Sequence, residues 1–160
     1  MKTPNALLLA IALALPLATV ASETAKHEHG AAVTTKLELN AGKKWATDAP
    51  LRKAMDNIRA SVATALPQAH AGKLTPAQYD AFGKDVSGQI AYIVQNCKLD
   101  PKADAQLHIV VGDIMSAIDT ATGKQPDQKR AMGVVKIAQS LNSYGQHFDH
   151  AGWKPVKLPH

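Results

Sequence analysis

Four prolines recur along the sequence at nearly equal intervals. They are Pro50, Pro76, Pro101 and Pro126, separated by 26, 25 and 25 residues. Proline fits the first turn of a helix, because the N–H that it lacks would have no intrahelical partner there. Thr or Asp residues shortly before the first three prolines are suited to accept hydrogen bonds from the free amides of that turn. The spacing predicts four helices of about 18–22 residues, each beginning near a proline and joined by short loops.

Each of these segments carries apolar residues at three- and four-residue steps, as expected for one buried face of a helix. Aromatic residues make up only 4% of the chain, which argues against a fold built from strands. Short connections place consecutive helices antiparallel. The sequence therefore predicts an all-α fold, an antiparallel up-down-up-down four-helix bundle over residues 47–149. The predicted stripes are Leu51, Met55, Ile58, Val62 and Leu66; Tyr79, Phe82, Val86, Ile90, Ile93 and Cys97; Leu107, Val111, Ile114 and Ile118; Val134, Ile137, Leu141, Tyr144 and Phe148.

The segments on either side of the bundle have a different composition. Residues 22–46 hold few large apolar side chains and include His27 and His29, so we predict a flexible N-terminal arm. Residues 150–160 contain Gly152, Pro155 and Pro159, and we predict an extended C-terminal tail. The 160 residues leave room for one domain of ordinary size.

The first 21 residues have the pattern of a secretory signal peptide. Lys2 precedes an apolar stretch of 12 residues, and small residues lead to a predicted cleavage site after Ala21. That stretch is shorter than the roughly 20 residues that a membrane-spanning helix needs. We therefore expect an exported protein without a membrane span after cleavage. Because the signal is short and rich in Ala and Leu, we expect the periplasm of a Gram-negative bacterium.

Several classes of protein are disfavoured by composition and motifs. The single cysteine, Cys97, excludes an intrachain disulfide framework and a tetracysteine zinc site. The formal charge of +5 comes from scattered basic residues that are not interleaved with aromatic ones, so we expect no nucleic-acid partner. The chain has no nucleophile elbow, phosphate-binding loop or HExxH motif, and we expect no enzymatic activity.

The predicted topology brings a thiol and several imidazoles to one end of the bundle. The second helix ends there, the third begins there and the fourth ends there, with the histidine-bearing arm attached nearby. Thiolate and imidazole suit copper, zinc and related metal ions, which bundles often hold between facing helices. We predict a transition-metal site, with copper as first choice, and a role in metal sequestration or in transfer to a periplasmic redox or metal-transfer partner. The candidate ligands are Cys97, His108, His147, His150, His27 and His29.

Each candidate also has a purely structural interpretation. Cys97 continues the apolar stripe of the second helix and is then a buried, inert thiol. His108 lies one turn after Asp104 and is then a hydrogen-bonded structural residue. His147 is then half-exposed without a role, and His150 is a helix C-terminal cap or a surface residue. If all of these hold, the chain is a metal-free interaction or stress protein.

Three segments resemble a known family. A methionine follows Leu51 by one turn at the start of the first helix, and residues 107–119 read LHIVVGDIMSAID. Residues 142–148 read NSYGQHF near the end of the fourth helix. These segments are similar to the soluble periplasmic four-helix cytochromes of the b-562 type. The resemblance implies non-covalent haem b, with Met55 and His147 as axial ligands, and a function in electron transfer.

Overall fold

The computed structural model describes residues 36–159, and the regular secondary structure of these residues is all helical. The four helices are α1 (Ala49–His70), α2 (Pro76–Asn96), α3 (Pro101–Ala121) and α4 (Arg130–His147). Residues 36–159 contain no strand, only two isolated β-bridges. None of their helices is long and apolar enough to cross a membrane. The predicted all-helical class with four helices is confirmed, whereas the predicted signal peptide, His27 and His29 lie outside the described residues.

Three of the four prolines begin helices as predicted. Pro50, Pro76 and Pro101 occupy the first or second position of α1, α2 and α3. The preceding Asp48, Thr75 and Asp100 accept hydrogen bonds from amides of the first turn, so the expected capping chemistry is present.

The fourth helix starts later than predicted. α4 begins at Arg130, four residues after Pro126, and its N-terminus has no side-chain cap. The side-chain oxygen of Gln125 accepts hydrogen bonds from the Thr120 hydroxyl at 2.7 Å and from the Gln128 amide at 2.7 Å. These bonds hold the segment around Pro126 in a turn, and the prediction of a helix start there is wrong.

The helices enclose one apolar core. α1 packs against α2 and α4, and α3 packs against α2 and α4. At Gly133, α4 lies so near to α3 that a side chain would collide with the α3 backbone. The largest completely buried side chains are Tyr144, Phe148, Leu51, Met55, Ile58, Ile114, Ile137 and Leu141.

The chain before α1 is bound to the helices from residue 38 onward. Trp45 is buried, and its backbone N–H donates to the carbonyl of His147 at 2.8 Å. The indole N–H of Trp45 donates to the carbonyl of Glu38 at 2.6 Å. The backbone N–H of Glu38 donates to the side chain of Gln106 at 2.7 Å. Part of the predicted arm, residues 38–46, thus contacts the helices, and the large indole of Trp45 is buried there.

The chain after α4 also returns to the helices. Residues 150–159 form no helix or strand, but Asn142 binds both backbone groups of Val156, at 2.8 and 3.0 Å. The ring of Trp153 packs edge-on against Tyr144 with centroids 4.9 Å apart. The predicted tail thus contacts α4 through Val156 and Trp153.

Candidate metal site

A cavity of about 400 Å³ opens between α2 and α3. Cys97 at the end of α2 and His108 in α3 both line this cavity, together with Asp104. The remaining wall is apolar and consists of Ile93, Val94, Leu107, Val111 and Met115. Two of the residues predicted to form a metal site are thus brought to one cavity from different helices.

Cys97 is half-buried immediately after the last turn of α2. Its thiol donates to the Oδ1 atom of Asp48, with sulfur and oxygen 3.5 Å apart. Burial raises the pKa of Cys97 to about 12, and the carboxylates of Asp48 and Asp104 raise it in the same direction. The thiol is therefore protonated at neutral pH, and a bound cation has to displace that proton.

Asp48 connects the start of α1 to the end of α2. Its Oδ1 atom accepts from the Leu51 amide at 2.9 Å, and its Oδ2 atom accepts from the Lys98 amide at 2.6 Å. Burial acts to raise the pKa of Asp48, but the hydrogen bonds from Lys98 and Leu51 outweigh it and lower the pKa below the usual value. Asp48 is consequently ionised, and both of its oxygens are engaged by the backbone.

His108 presents one ring nitrogen for binding. Its Nδ1 atom lies 2.9 Å from the carbonyl oxygen of Asp104 and 3.4 Å from the Asp104 carboxylate. A carbonyl oxygen only accepts hydrogen bonds, so Nδ1 carries the proton and the neutral ring has its lone pair on Nε2. The side chain is 74% exposed. This arrangement, with a backbone carbonyl and a carboxylate behind the imidazole, is the one that metal-ligating histidines commonly have.

His147 lies in the last turn of α4 and is half-buried. Its Nδ1 atom is 2.8 Å from the carbonyl oxygen of Ser143, which again places the lone pair on Nε2. His147 is not among the residues that line the cavity of Cys97 and His108. The structure therefore separates His147 from the pair, although its tautomer is suitable for a ligand.

His150 is buried, with 4% of its side chain exposed, which excludes the expected surface position. Its Nδ1 atom is 3.1 Å from the hydroxyl of Tyr144, and its Nε2 atom is 3.3 Å from the carboxylate of Asp56. Burial lowers the pKa of His150 and outweighs the opposing effect of Asp56. Both ring nitrogens are engaged, so a metal ion has to break one of these contacts to use His150 as a ligand.

The described residues hold no complete coordination sphere made by protein side chains alone. Within residues 36–159, no three His, Cys, Asp or Glu side chains are grouped closely enough to hold a metal ion. Of the predicted ligands, Cys97 and His108 line the same cavity. His27 and His29 lie outside the described residues.

The predicted haem ligands Met55 and His147 lie on two different helices, α1 and α4. Met55 is completely buried in the core on α1. Neither residue lines any of the five main cavities of residues 36–159.

Sequence reasoning found the partner of His108 but not that of Cys97. Asp48 was expected only as a cap of α1, yet it accepts a hydrogen bond from a thiol 49 residues away. Val94 and Met115 were not considered, and both are exposed apolar residues on the cavity wall. The only local signal was the one-turn spacing of Asp104 and His108, since the other contacts join different helices.

Comparisons with protein-family models, curated proteins and solved structures yielded no match to this chain. The resemblance to cytochromes of the b-562 type therefore stays a prediction.

Proposed function

We propose that this chain is an exported four-helix-bundle protein that binds a transition metal ion, preferentially copper, and sequesters or transfers it. One observation carries the proposal: a thiol and an imidazole with a free Nε2 line the same cavity from two different helices. Sulfur and imidazole nitrogen are ligands that copper and zinc prefer. Asp104 supports His108 from behind, as outer residues of metal sites commonly do.

The proposed arrangement of the helices is up-down-up-down. Hydrogen bonds join Asn57 to Gln89 and Ser61 to Asp85, so later positions of α1 meet earlier positions of α2. Gly133 near the start of α4 lies against residues near the end of α3. Trp45, just before α1, is bridged to Phe148, just after α4. These contacts are those of antiparallel neighbours, and they support one bundle end that holds Cys97 and His108.

The proposed location is the periplasm, reached by the signal peptide over residues 1–21. Cleavage after Ala21 leaves a mature chain from Ser22, whose first residues bring His27 and His29 as additional imidazoles. The proposed partners are the metal ion and a periplasmic redox or metal-transfer protein.

The chemistry of Cys97 favours binding over catalysis. A catalytic cysteine needs a lowered pKa and a nearby base, because the thiolate is the nucleophile. Cys97 instead donates to a carboxylate, and burial raises its pKa. We accordingly propose no enzymatic activity for this site.

The test is a copper titration of the mature chain, residues 22–160, followed by desalting and elemental analysis. We expect one ion per chain, with affinity reduced by more than about tenfold in Cys97→Ser and in His108→Ala. His70→Ala is the matched control, because His70 is exposed and lies at the far end of α1.

Two results contradict this proposal. If deletion of residues 22–35 alone abolishes binding, the site is in the arm and not in the cavity. If the purified chain carries stoichiometric iron and an intense Soret band, it is a haem protein instead.

A second candidate function is that of a metal-free interaction module. Val94 is 74% exposed and Met115 is 54% exposed on the wall of the same cavity. Contiguous exposed apolar residues are typical of contact surfaces. A chain that takes up no metal under any condition favours this candidate.

A further inference from the structure

Two apolar side chains project from the wall of the cavity between α2 and α3. Val94 on α2 is 74% exposed, more than any other large apolar side chain within residues 36–159, and Met115 on α3 is 54% exposed. The cavity beside them has a volume of about 400 Å³, and Ile93 and Leu107 supply part of its apolar wall. Projecting apolar groups and an apolar depression thus lie together on one surface, which we call the α2/α3 face.

The α2/α3 face fits a second copy of itself. In a two-fold dimer the same surface of both partners meets, so every contact is made twice. Val94 and Met115 of each copy can then fill the cavity of the other copy, and both cavities close. A partner of another sequence needs a matching projection and depression of its own, whereas a second copy brings both from the same residues.

This face also holds few charged groups. Residues 86–97 of α2 include no Asp, Glu, Lys, Arg or His, although several of these positions are exposed. Residues 105–118 of α3 include one Asp and no Glu, Lys or Arg, and that residue, Asp113, lines a different cavity between α3 and α4. The carboxylate on the α2/α3 cavity itself is that of Asp104, and the His108 ring lies 3.4 Å from it.

The scarcity of charge matters because the chain is basic overall. Its formal charge is +5, and a net charge of one sign keeps copies of a protein apart. Like charges that meet across an interface strongly disfavour association, and the centres of protein interfaces are depleted of charged residues. The α2/α3 face is therefore a surface on which two copies can meet without that repulsion.

We infer that the α2/α3 face is the interface between two copies of this chain, packed about a two-fold axis. The inference names the partner of the contact surface described above as the second candidate function, and it does not depend on metal binding. Because Cys97 and His108 line the same cavity, pairing also covers the residues of the proposed metal site.

The experiment is sedimentation velocity of the mature chain, residues 22–160, from the micromolar to the millimolar range in the presence of a metal chelator. We expect a reversible equilibrium of monomer and dimer with no larger species, because a two-fold contact closes on itself. The rate of Cys97 alkylation should fall as the dimer fraction rises, since the dimer covers the cavity that Cys97 lines.

Variants locate the interface. Val94→Glu places like charges in the contact, and we expect it to raise the dissociation constant of the dimer by more than about 100-fold. Met115→Lys should act in the same way with the opposite charge, and it keeps the test decisive if Val94→Glu does not fold. Met132→Glu is the matched control and should dimerise like the parent, because Met132 is an exposed apolar residue of α4 that does not line this cavity. Circular dichroism should show the thermal midpoint of the parent for all three variants, since each change is at an exposed position.

Several outcomes overturn the inference. A parent chain that stays monomeric at all concentrations refutes it, and so does a dimer that survives both Val94→Glu and Met115→Lys. Loss of the dimer in Met132→Glu places the contact on another face, and species larger than a dimer refute the two-fold arrangement.

A second run, with copper and without chelator, separates this inference from the proposed metal binding. A monomer that binds copper in a manner dependent on Cys97 refutes only the dimer. A dimer that binds no copper refutes only the metal site and leaves the inferred interface intact.

Discussion

Gly133 of α4 packs directly against the backbone of α3. A Cβ atom at this position would lie 2.3 Å from the backbone nitrogen of Ala121 and 2.5 Å from the carbonyl oxygen of Ala117. Carbon atoms in contact normally lie about 3.5–4.0 Å apart, so Gly133→Ala has to push the two helices apart by about 1 Å. The obstacles are backbone atoms and have no alternative rotamer.

Two opposing contributions determine how much Gly133→Ala changes the free energy of unfolding. Overpacking of a core costs about 1–3 kcal/mol, and the rigid obstacle places Gly133→Ala at the upper end of that range. Alanine in a helix interior regains about 0.5–1 kcal/mol relative to glycine. We expect a net loss of about 2 kcal/mol in the free energy of unfolding, measured by urea denaturation.

Gly112→Ala is the matched control for this prediction. Gly112 lies in the exposed interior of α3, and a Cβ atom there would meet nothing within 4 Å. The same chemical change should therefore stabilise the protein by about 0.5–1 kcal/mol through helix propensity alone. The two variants should differ by about 3 kcal/mol. If Gly133→Ala unfolds at the same urea concentration as Gly112→Ala, or at a higher one, the close contact between α3 and α4 is refuted.

Three further predictions concern Asp48, His150 and Asn142. Asp48→Asn removes a negative charge beside the thiol of Cys97, so the pH profile of thiol alkylation should shift to lower pH. Asparagine still caps α1 through its one side-chain oxygen but cannot also accept from the Lys98 amide, and we expect a loss of about 1 kcal/mol in urea unfolding. An unchanged alkylation profile contradicts this prediction. Burial lowers the pKa of His150 in the folded protein, so the unfolded chain binds a proton more readily. The stabilisation is complete above the usual histidine pKa and is lost as the pH falls through the folded pKa. The urea midpoint should decrease from pH 7 to pH 5, and the decrease should be smaller in His150→Gln; equal slopes exclude His150 as the cause. Asn142→Ala removes both hydrogen bonds to Val156 and should cost about 1–3 kcal/mol with a red shift of Trp153 fluorescence, whereas Asn96→Ala, which loses only a bond within α2, should show neither change.

The starts of the first three helices could be predicted because their signals are local. A proline in the first turn and a side-chain acceptor just before it act within four residues, and the apolar stripes follow from the helical period. Pro126 has the same spacing but no Ser, Thr, Asp or Asn directly before it, and Gln125 is engaged by Thr120 and Gln128 instead. A local pattern does not reveal that competition, since it depends on where the end of α3 lies.

Local sequence patterns also fail to predict how the segments outside the helices pack. Residues 38–46 and 150–159 have the composition of loops, yet Trp45, His150 and Trp153 return to the helices and contact residues of α1 and α4. Their order depends on a few large aromatic side chains and on specific hydrogen bonds, such as those of Asn142 with Val156. Neither the average polarity of a segment nor the helical period predicts such contacts.

The sequence by itself determined the helical class, three helix starts and the apolar stripes, because each depends on neighbours within a few positions. It also provided six candidate ligands without indicating which of them share a cavity. The tertiary structure decided which candidates share a cavity, that His150 is enclosed by Tyr144 and Asp56, and that Asp48 is the partner of Cys97. The physical reason is that burial and charge are set by atoms far apart in the chain, and these govern the pKa of a thiol and the freedom of an imidazole to bind an ion.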